Sequence, residues 1–426
     1  MNTRISRRKA VIGGAAVLGL GALAPAFLTR TAHHLGAAPI AATTPGRTRS
    51  LVVIQLGGGN DGMNTVVPYS NDLYYQNRPT ISVSQTDVLH LSAEVGLNPN
   101  LTDLKGMYDQ GHVAIIQGVG YPNPNRSHFR STDIWTSAVP EKDEHSGWLG
   151  RYVDAQCCGT DPKSGQPTPP TNDFLALDVQ PSLSPAFWTQ HALVPALDNL
   201  DRFTYQTDSH HADQRDAELA AFRAIYSKKP GSEAYEALLN HAGVTALDAS
   251  ETLHKATAAY QPRVLFPTNP LANSLKTVAQ LINADLGTRV YYVSMGGFDT
   301  HANQKKAQDT LLKTFGASLN AFLQELEASE RMGDVMVMVF SEFGRRVHEN
   351  GGRGTDHGTA APMFVLGGGI KGGIYGSHPS LTDLDHGDLK YSIDFRSVYA
   401  TILHDWLEAD PAQVLGSSFA TINFVS

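Results

Sequence analysis

The chain has 426 residues, 41% of them hydrophobic and 17% charged, enough for a large core in one or two domains. A formal charge of −8 gives nucleic acid no evident reason to bind. The two cysteines, Cys157 and Cys158, are neighbours, a spacing poorly suited to a disulfide and two ligands short of a zinc site, so they read as structural or incidental.

In chain order, the first feature is a targeting segment. "SRRKA" (6–10) carries twin arginines, and an uncharged, Gly- and Ala-rich stretch follows to Leu28. That pattern predicts a Tat signal over 1–42, export through the Tat translocase, and a periplasmic, cell-surface or secreted product. The competing reading is a membrane anchor, which Pro25 and the glycines weaken. Removing 1–42 takes five basic and no acidic residues, which moves the charge from −8 to −13. No other stretch is long and apolar enough to span a bilayer, so no stable membrane span is expected after cleavage.

Residues 43–49 read as a linker. "SLVVIQL" (50–56) is the first apolar run, and it ends in "GGGNDG". That loop lacks the Lys-Ser/Thr ending of a phosphate-binding loop and the spacing of a dinucleotide fingerprint. It reads as a tight turn that exposes Asp61, with Asn60 competing for the role. The second run, "HVAIIQGVG" (112–120), leads to "NPNRSHFRSTDIW". Ser127 there, between Arg126 and Arg130, reads either as a nucleophile or anion-binding group or simply as a helix cap. Residues 156–270 are irregular and partly helical, an expected insertion or cap.

The third run, "RVYYVSM" (289–295), ends in "GGFDTH". Asp299 and His301 are two residues apart and share a face if the segment is extended, which suits a zinc- or manganese-type ion. The alternative is a turn aspartate and a helix start. Next, Leu311, Leu312, Phe315, Leu319, Phe322 and Leu326 recur at helical steps and predict a strand–helix–strand crossover. The fourth run, "DVMVMVF" (334–340), ends at Glu342, whose buried carboxylate needs either a metal or a salt bridge to Arg345 or Arg346. "GTDHG" supplies Asp356 and His357 just before the fifth run, "PMFVLGGG" (362–369), with Asp356 as ligand or as a partner orienting a histidine.

Runs this continuous predict strands covered on both faces, a single α/β domain over 50–426 with a mostly parallel sheet. Polar clusters gather where the runs end, and the carboxyl edge of such a sheet is where ligands bind.

The motifs "LGGGNDGMNTVVPY", "NRSHFRSTDIW", "GWLGRY", "GGFDTH", "FSEFGRR" and "GTDHG" together resemble the DUF1501 family of exported proteins across the mature chain. That family is similar in turn to the alkaline phosphatase-like superfamily of phosphatases, sulfatases and mutases. The resemblance implies a three-layer sandwich, a central sheet flanked by helices, with divalent metal at its carboxyl edge. Zinc or manganese leads, with calcium or magnesium as alternatives. It implies one ion on Asp299, His301 and His357, with Asp356 beside them. A second would lie on Asp61, Glu342 and the nucleophile position Ser127, with Arg126, Arg130 or Arg345 holding the anion. The superfamily usually carries an Asp-His pair where this chain reads "SEFG", and Phe343 cannot act as that histidine. The implied activity is hydrolysis of a phosphate or sulfate ester on a small molecule or polymer. The alternative is an exported binding or assembly protein that keeps the fold and at most a structural metal.

Overall fold

Strands rich in Val, Ile and Met and apolar on both sides must be covered on both sides. The computed structural model, which describes residues 47–157, 172–204, 207, 211–227 and 234–426, meets that demand with one central sheet. The twin-arginine segment lies outside the described residues. The sheet contains β1 (Ser50–Leu56), β2 (Val113–Gly120), β3 (Ala176–Asp178), β4 (Val290–Met295), β5 (Val335–Phe340), β6 (Ala361–Gly367) and β7 (Gly373–Tyr375). Their spatial order is β7-β2-β6-β5-β1-β4-β3, and a short strand, β8 (Ile393–Asp394), pairs with the end of β2.

Strand β1 is central, parallel to β4 with Val53 opposite Tyr292 and to β5 with Val53 opposite Met338. Strand β6 departs from the rest: it runs antiparallel to both β5 and β2. Its amino end therefore lies at the edge where its neighbours have their carboxyl ends. A loop that precedes β6 thus reaches the same edge as loops that follow β1, β2, β4 and β5.

The two faces carry separate cores, because side chains alternate along a strand. Val52, Ile54 and Leu56 join Val335, Val337 and Val339 on one face. There they pack against α2 (Thr102–Asp109), α7 (Pro270–Ala284) and α8 (Gln304–Ala328), where α1 is the short turn Gly62–Thr65. Leu51, Val53, Met336 and Met338 face the other way. They meet α3 (His128–Ser137), α4 (Trp148–Cys157) and α9 (Phe395–Thr401). Each fully buried Leu, Ile or Phe contributes about 1.5–3 kcal/mol. The fold is thus the expected three-layer α/β sandwich with a mostly parallel sheet.

Between α4 and α7 stand α5 (Ala212–Tyr226) and α6 (Ala234–Thr257), joined by Arg223, which pairs with Asp248 at 2.7 Å and Glu251 at 2.9 Å. Leu253 of α6 is part of the core on the α8 side, and β3 from this same stretch forms the sheet edge. Cys157, at the end of α4, is disulfide-bonded, which corrects the expectation of an unbridged pair; Cys158 lies outside the described residues. Among the described residues, no helix is long and apolar enough to cross a membrane.

Candidate metal centre

The loop after β4 and the loop before β6 are joined by backbone bonds. Asn303 donates to Gly352, Gln304 to Arg353 and Thr355 to Thr300, at 3.0, 2.9 and 3.3 Å. Asn350 adds a side-chain bond to the His301 carbonyl at 3.0 Å. The two loops lie so close that a methyl group on Gly354 would sit 2.4 Å from the His301 carbonyl carbon. Residues more than fifty positions apart are thereby brought together.

Asp299, His301 and His357 converge. The two Nε2 atoms are 2.9 Å apart, and each lies 3.0 Å from Asp299 Oδ1. A third imidazole completes the group. His128 opens α3 and points its Nε2 at Asp299 Oδ2, 3.4 Å away. One ligand atom each from His128, Asp299 and His357 falls within 4.8 Å of the others.

The far nitrogens assign the tautomers. His357 Nδ1 lies 2.7 Å from the Arg126 carbonyl oxygen, which can only accept, so Nδ1 carries the hydrogen. His301 Nδ1 faces Asp356 Oδ1 at 3.3 Å, and His128 Nδ1 faces Glu342 Oε1 at 2.9 Å. With its hydrogen on Nδ1, each ring in its neutral form would present an Nε2 lone pair toward the Asp299 carboxylate. Lone pairs gathered without a positive charge repel one another, and His128 Nε2 is buried with no hydrogen-bond partner. Such a cluster is a candidate cation site. Three donors with edges near 3.0 Å match one face of an octahedron with bonds of about 2.1 Å, and imidazole with carboxylate suits zinc- or manganese-type ions.

Asp299 is kept ionised. Partial burial would raise its carboxyl, but the hydrogen bond and charge of the Arg345 guanidinium outweigh that, with the His357 and His301 imidazoles adding to the effect, and hold it well below the usual carboxylate range. The bond from Asn350 chiefly lowers Asp356, with His301 adding to the effect.

Other residues singled out in the sequence take different places. Glu342 does not reach the cluster directly. It is 2% exposed and accepts from Gly58 N–H at 2.8 Å as well as from His128. Asp356 stands behind His301 in the same way. Asp61 is directed elsewhere: its Oδ2 meets Arg78 Nη1 and Gln304 Nε2, both at 2.5 Å, and its Oδ1 caps α1. Ser127 occupies the N-cap position of α3, exposed, but its hydroxyl makes no capping bond.

Each of the three arginines has protein partners. Arg126 pairs with buried Asp388. Arg130 bonds Asp143 and the carbonyls of Pro140 and Lys142. Arg345 is fully buried and donates to the carbonyls of Gly58, Gly59, Phe298 and Thr355 and to Asp299. Phe343, which stands where a histidine was sought, packs its ring 4.9 Å from His128 and 4.6 Å from His357.

His128 is the cluster member that sequence reasoning passed over in favour of Ser127. Its signal was present, since "RSHF" opens a helix at a strand end. Arg78 and Gln304, which neutralise and hold Asp61, gave no signal in spacing or motif.

The profile of a family described as "Protein of unknown function (DUF1501)" matches residues 112–418. The chain belongs to the DUF1501 family. The match takes in His128, Asp299, His301, Glu342 and His357, and leaves Asp61 and Arg78 outside. No curated protein matches this DUF1501 chain in sequence. It is similar in fold to a protein of the alkaline phosphatase superfamily from Vibrio parahaemolyticus (8% identity, 98% of this chain and 80% of that one, TM-score 0.36). It is also similar to the PsFucS1 sulfatase from Pseudoalteromonas sp. (10%, 97% and 72%, TM-score 0.32). A third likeness is to alkaline phosphatase from the Antarctic bacterium TAB5 (11%, 77% and 95%, TM-score 0.32). Likenesses this slight carry nothing about the chemistry of the DUF1501 site.

Proposed function

We propose that this DUF1501 protein is an exported, metal-dependent hydrolase of phosphate or sulfate esters, its divalent ion held by His128, Asp299, His301 and His357. The observation that carries the reading is the convergence of three imidazole lone pairs on one ionised carboxylate, with each Nδ1 fixed from behind. A divalent ion there supplies Lewis acidity toward an ester oxygen and charge for a leaving group. The chain's own residues do the rest. Glu342, Asp356 and the Arg126 carbonyl set the imidazoles. Arg345 keeps Asp299 anionic. Ser127, exposed one residue before His128, is the candidate nucleophile. Export rests on the twin-arginine segment, with the Tat translocase as partner during passage.

A second reading is favoured by one observation. Arg126, Arg130 and Arg345 all have protein partners, so none of the three is left without a counter-charge or acceptor to meet a substrate anion. That suits a binding or assembly protein that retains the metal.

Two measurements decide. Metal analysis of the purified chain should find zinc or manganese, strongly reduced in His301→Ala. A chromogenic phosphate and sulfate ester panel should show turnover that depends on the same residue. Bound metal with no turnover selects the second reading, and a metal-free chain that gains none on reconstitution overturns both.

A further inference from the structure

We infer that this chain holds one divalent cation and not a pair, because the buried guanidinium of Arg78 already neutralises the carboxylate that a second would need. The inference rests on the metal site proposed above and concerns its stoichiometry.

A second ion beside the first requires carboxylates that are free to turn toward it. Among the described residues, Glu342 and Asp356 touch the cluster histidines, while Asp61 and Asp388 connect to it through Gln304 and Arg126. Asp61 is the one on the loop after β1, and its bonds are filled. Oδ2 takes Arg78 Nη1 and Gln304 Nε2 at 2.5 Å, while Oδ1 takes the amides of Met63 and Asn64 at 3.2 and 3.4 Å. Both members of the ion pair are sealed, Asp61 at 1% and Arg78 at 0% exposure.

Arg78 cannot yield its place by a change of rotamer. Its Nε donates to the Val347 carbonyl at 3.0 Å, its Nη2 to the Arg346 carbonyl at 2.8 Å, and its Nη1 also to Asn64 Oδ1 at 2.9 Å. A cation on Asp61 would leave this guanidinium buried without its counter-charge, and a buried charge that loses its partner is strongly destabilising. Gln304 closes the remaining approach. Its amide oxygen accepts from Thr355 at 2.6 Å, which orients its NH2 toward Asp61.

The other three are engaged as well, although the Asp356 side chain is exposed and Asp388 Oδ1 has no hydrogen-bond partner. Glu342 Oε1 is held by Gly58 N–H and His128, and its Oε2 lies 3.4 Å from the Ser341 hydroxyl. Asp356 is held by Asn350 and His301. Asp388 is buried between Arg126 and Arg346. Among the described residues, the one group of three such ligand atoms within reach of a single ion is that of His128, Asp299 and His357.

Counting ions tests this. The metal-stripped full chain is titrated with Zn2+ and, separately, Mn2+, and bound metal per chain is measured by native mass spectrometry and by elemental analysis after gel filtration. One ion per wild-type chain is expected, none in His357→Ala, and still one in Asp61→Asn. Because Asp61→Asn strands the buried Arg78 charge, the double variant Asp61→Asn/Arg78→Met removes both charges together and should also hold one. Two ions in the wild type, or loss of the ion in the double variant while circular dichroism shows it folded, overturns the inference and leaves the metal site standing. No ion in the wild type overturns the metal site and the inference with it.

Discussion

All three imidazoles in the cluster are fixed through Nδ1, yet the three fixing oxygens differ in kind: a backbone carbonyl, an exposed carboxylate and a buried one. The buried one, Glu342, has the most to lose. Its charge strengthens His128 as a donor and holds the ring toward Asp299. Glu342→Gln retains an oxygen for Gly58 N–H but removes that charge. Metal affinity should fall about 10- to 100-fold, read by competition with a chromophoric chelator, with little change in thermal midpoint. An unchanged Kd would show that His128 needs no carboxylate behind it. At this scale the sequence was a partial guide. Asp299, His301 and His357 were visible because Asp and His at strand ends are chemically conspicuous. Glu342 was visible too, but whether a carboxylate faces an ion or a histidine is a matter of a few ångströms that spacing does not encode. His128 was overlooked because a serine at a helix start competes for the same notice. The pairing of Asp61 was not legible: its partner Arg78 lies on a separate loop, and nothing in either stretch announces the contact.

At the scale of elements, the apolar runs were legible almost to the residue. Val113–Gly120, Val290–Met295 and Val335–Phe340 each begin one residue inside the run read from sequence. The direction of the fifth was not, since a doubly covered antiparallel strand is as uniformly apolar as a parallel one. That reversal is what brings His357 to the carboxyl edge. The turn after β1 is the other element on which the centre depends. Gly59 has φ +71°, and a methyl group there would lie 2.2 Å from the Phe343 ring. Gly59→Ala therefore suffers both left-handed strain and a clash with a buried ring. The expected loss is about 2–4 kcal/mol of unfolding free energy, measured by urea titration. Phe343 also backs His128 and His357, so metal affinity should drop in the same variant. Loss of stability with metal binding intact would mean that the imidazoles hold their positions without the ring.

Across the whole molecule, α8 is the common brace. Near its start, Gln304 reaches Asp61 and Thr355 beside the centre. Near its end, Glu325, 0% exposed, accepts from the Tyr260 hydroxyl at 2.8 Å and from the amides of Arg263 and Val264 at 2.7 and 2.9 Å. Twenty-one residues of helix put these two ends about 30 Å apart. The segment 258–266 falls in the expected insertion or cap over 156–270, and its attachment is invisible in sequence: one buried glutamate satisfies backbone amides sixty residues away. Glu325→Ala leaves two amides and a phenol without their acceptor in a buried place. It should cost about 3 kcal/mol in unfolding free energy. Sites this far apart with no shared partner act nearly independently. The variant should therefore bind zinc with wild-type affinity at temperatures where it is folded. Calorimetric titration alongside urea unfolding checks both halves. If zinc affinity falls with stability, the helix transmits strain from the insertion to the centre, and the insertion is then coupled to the chemistry rather than merely attached to its scaffold.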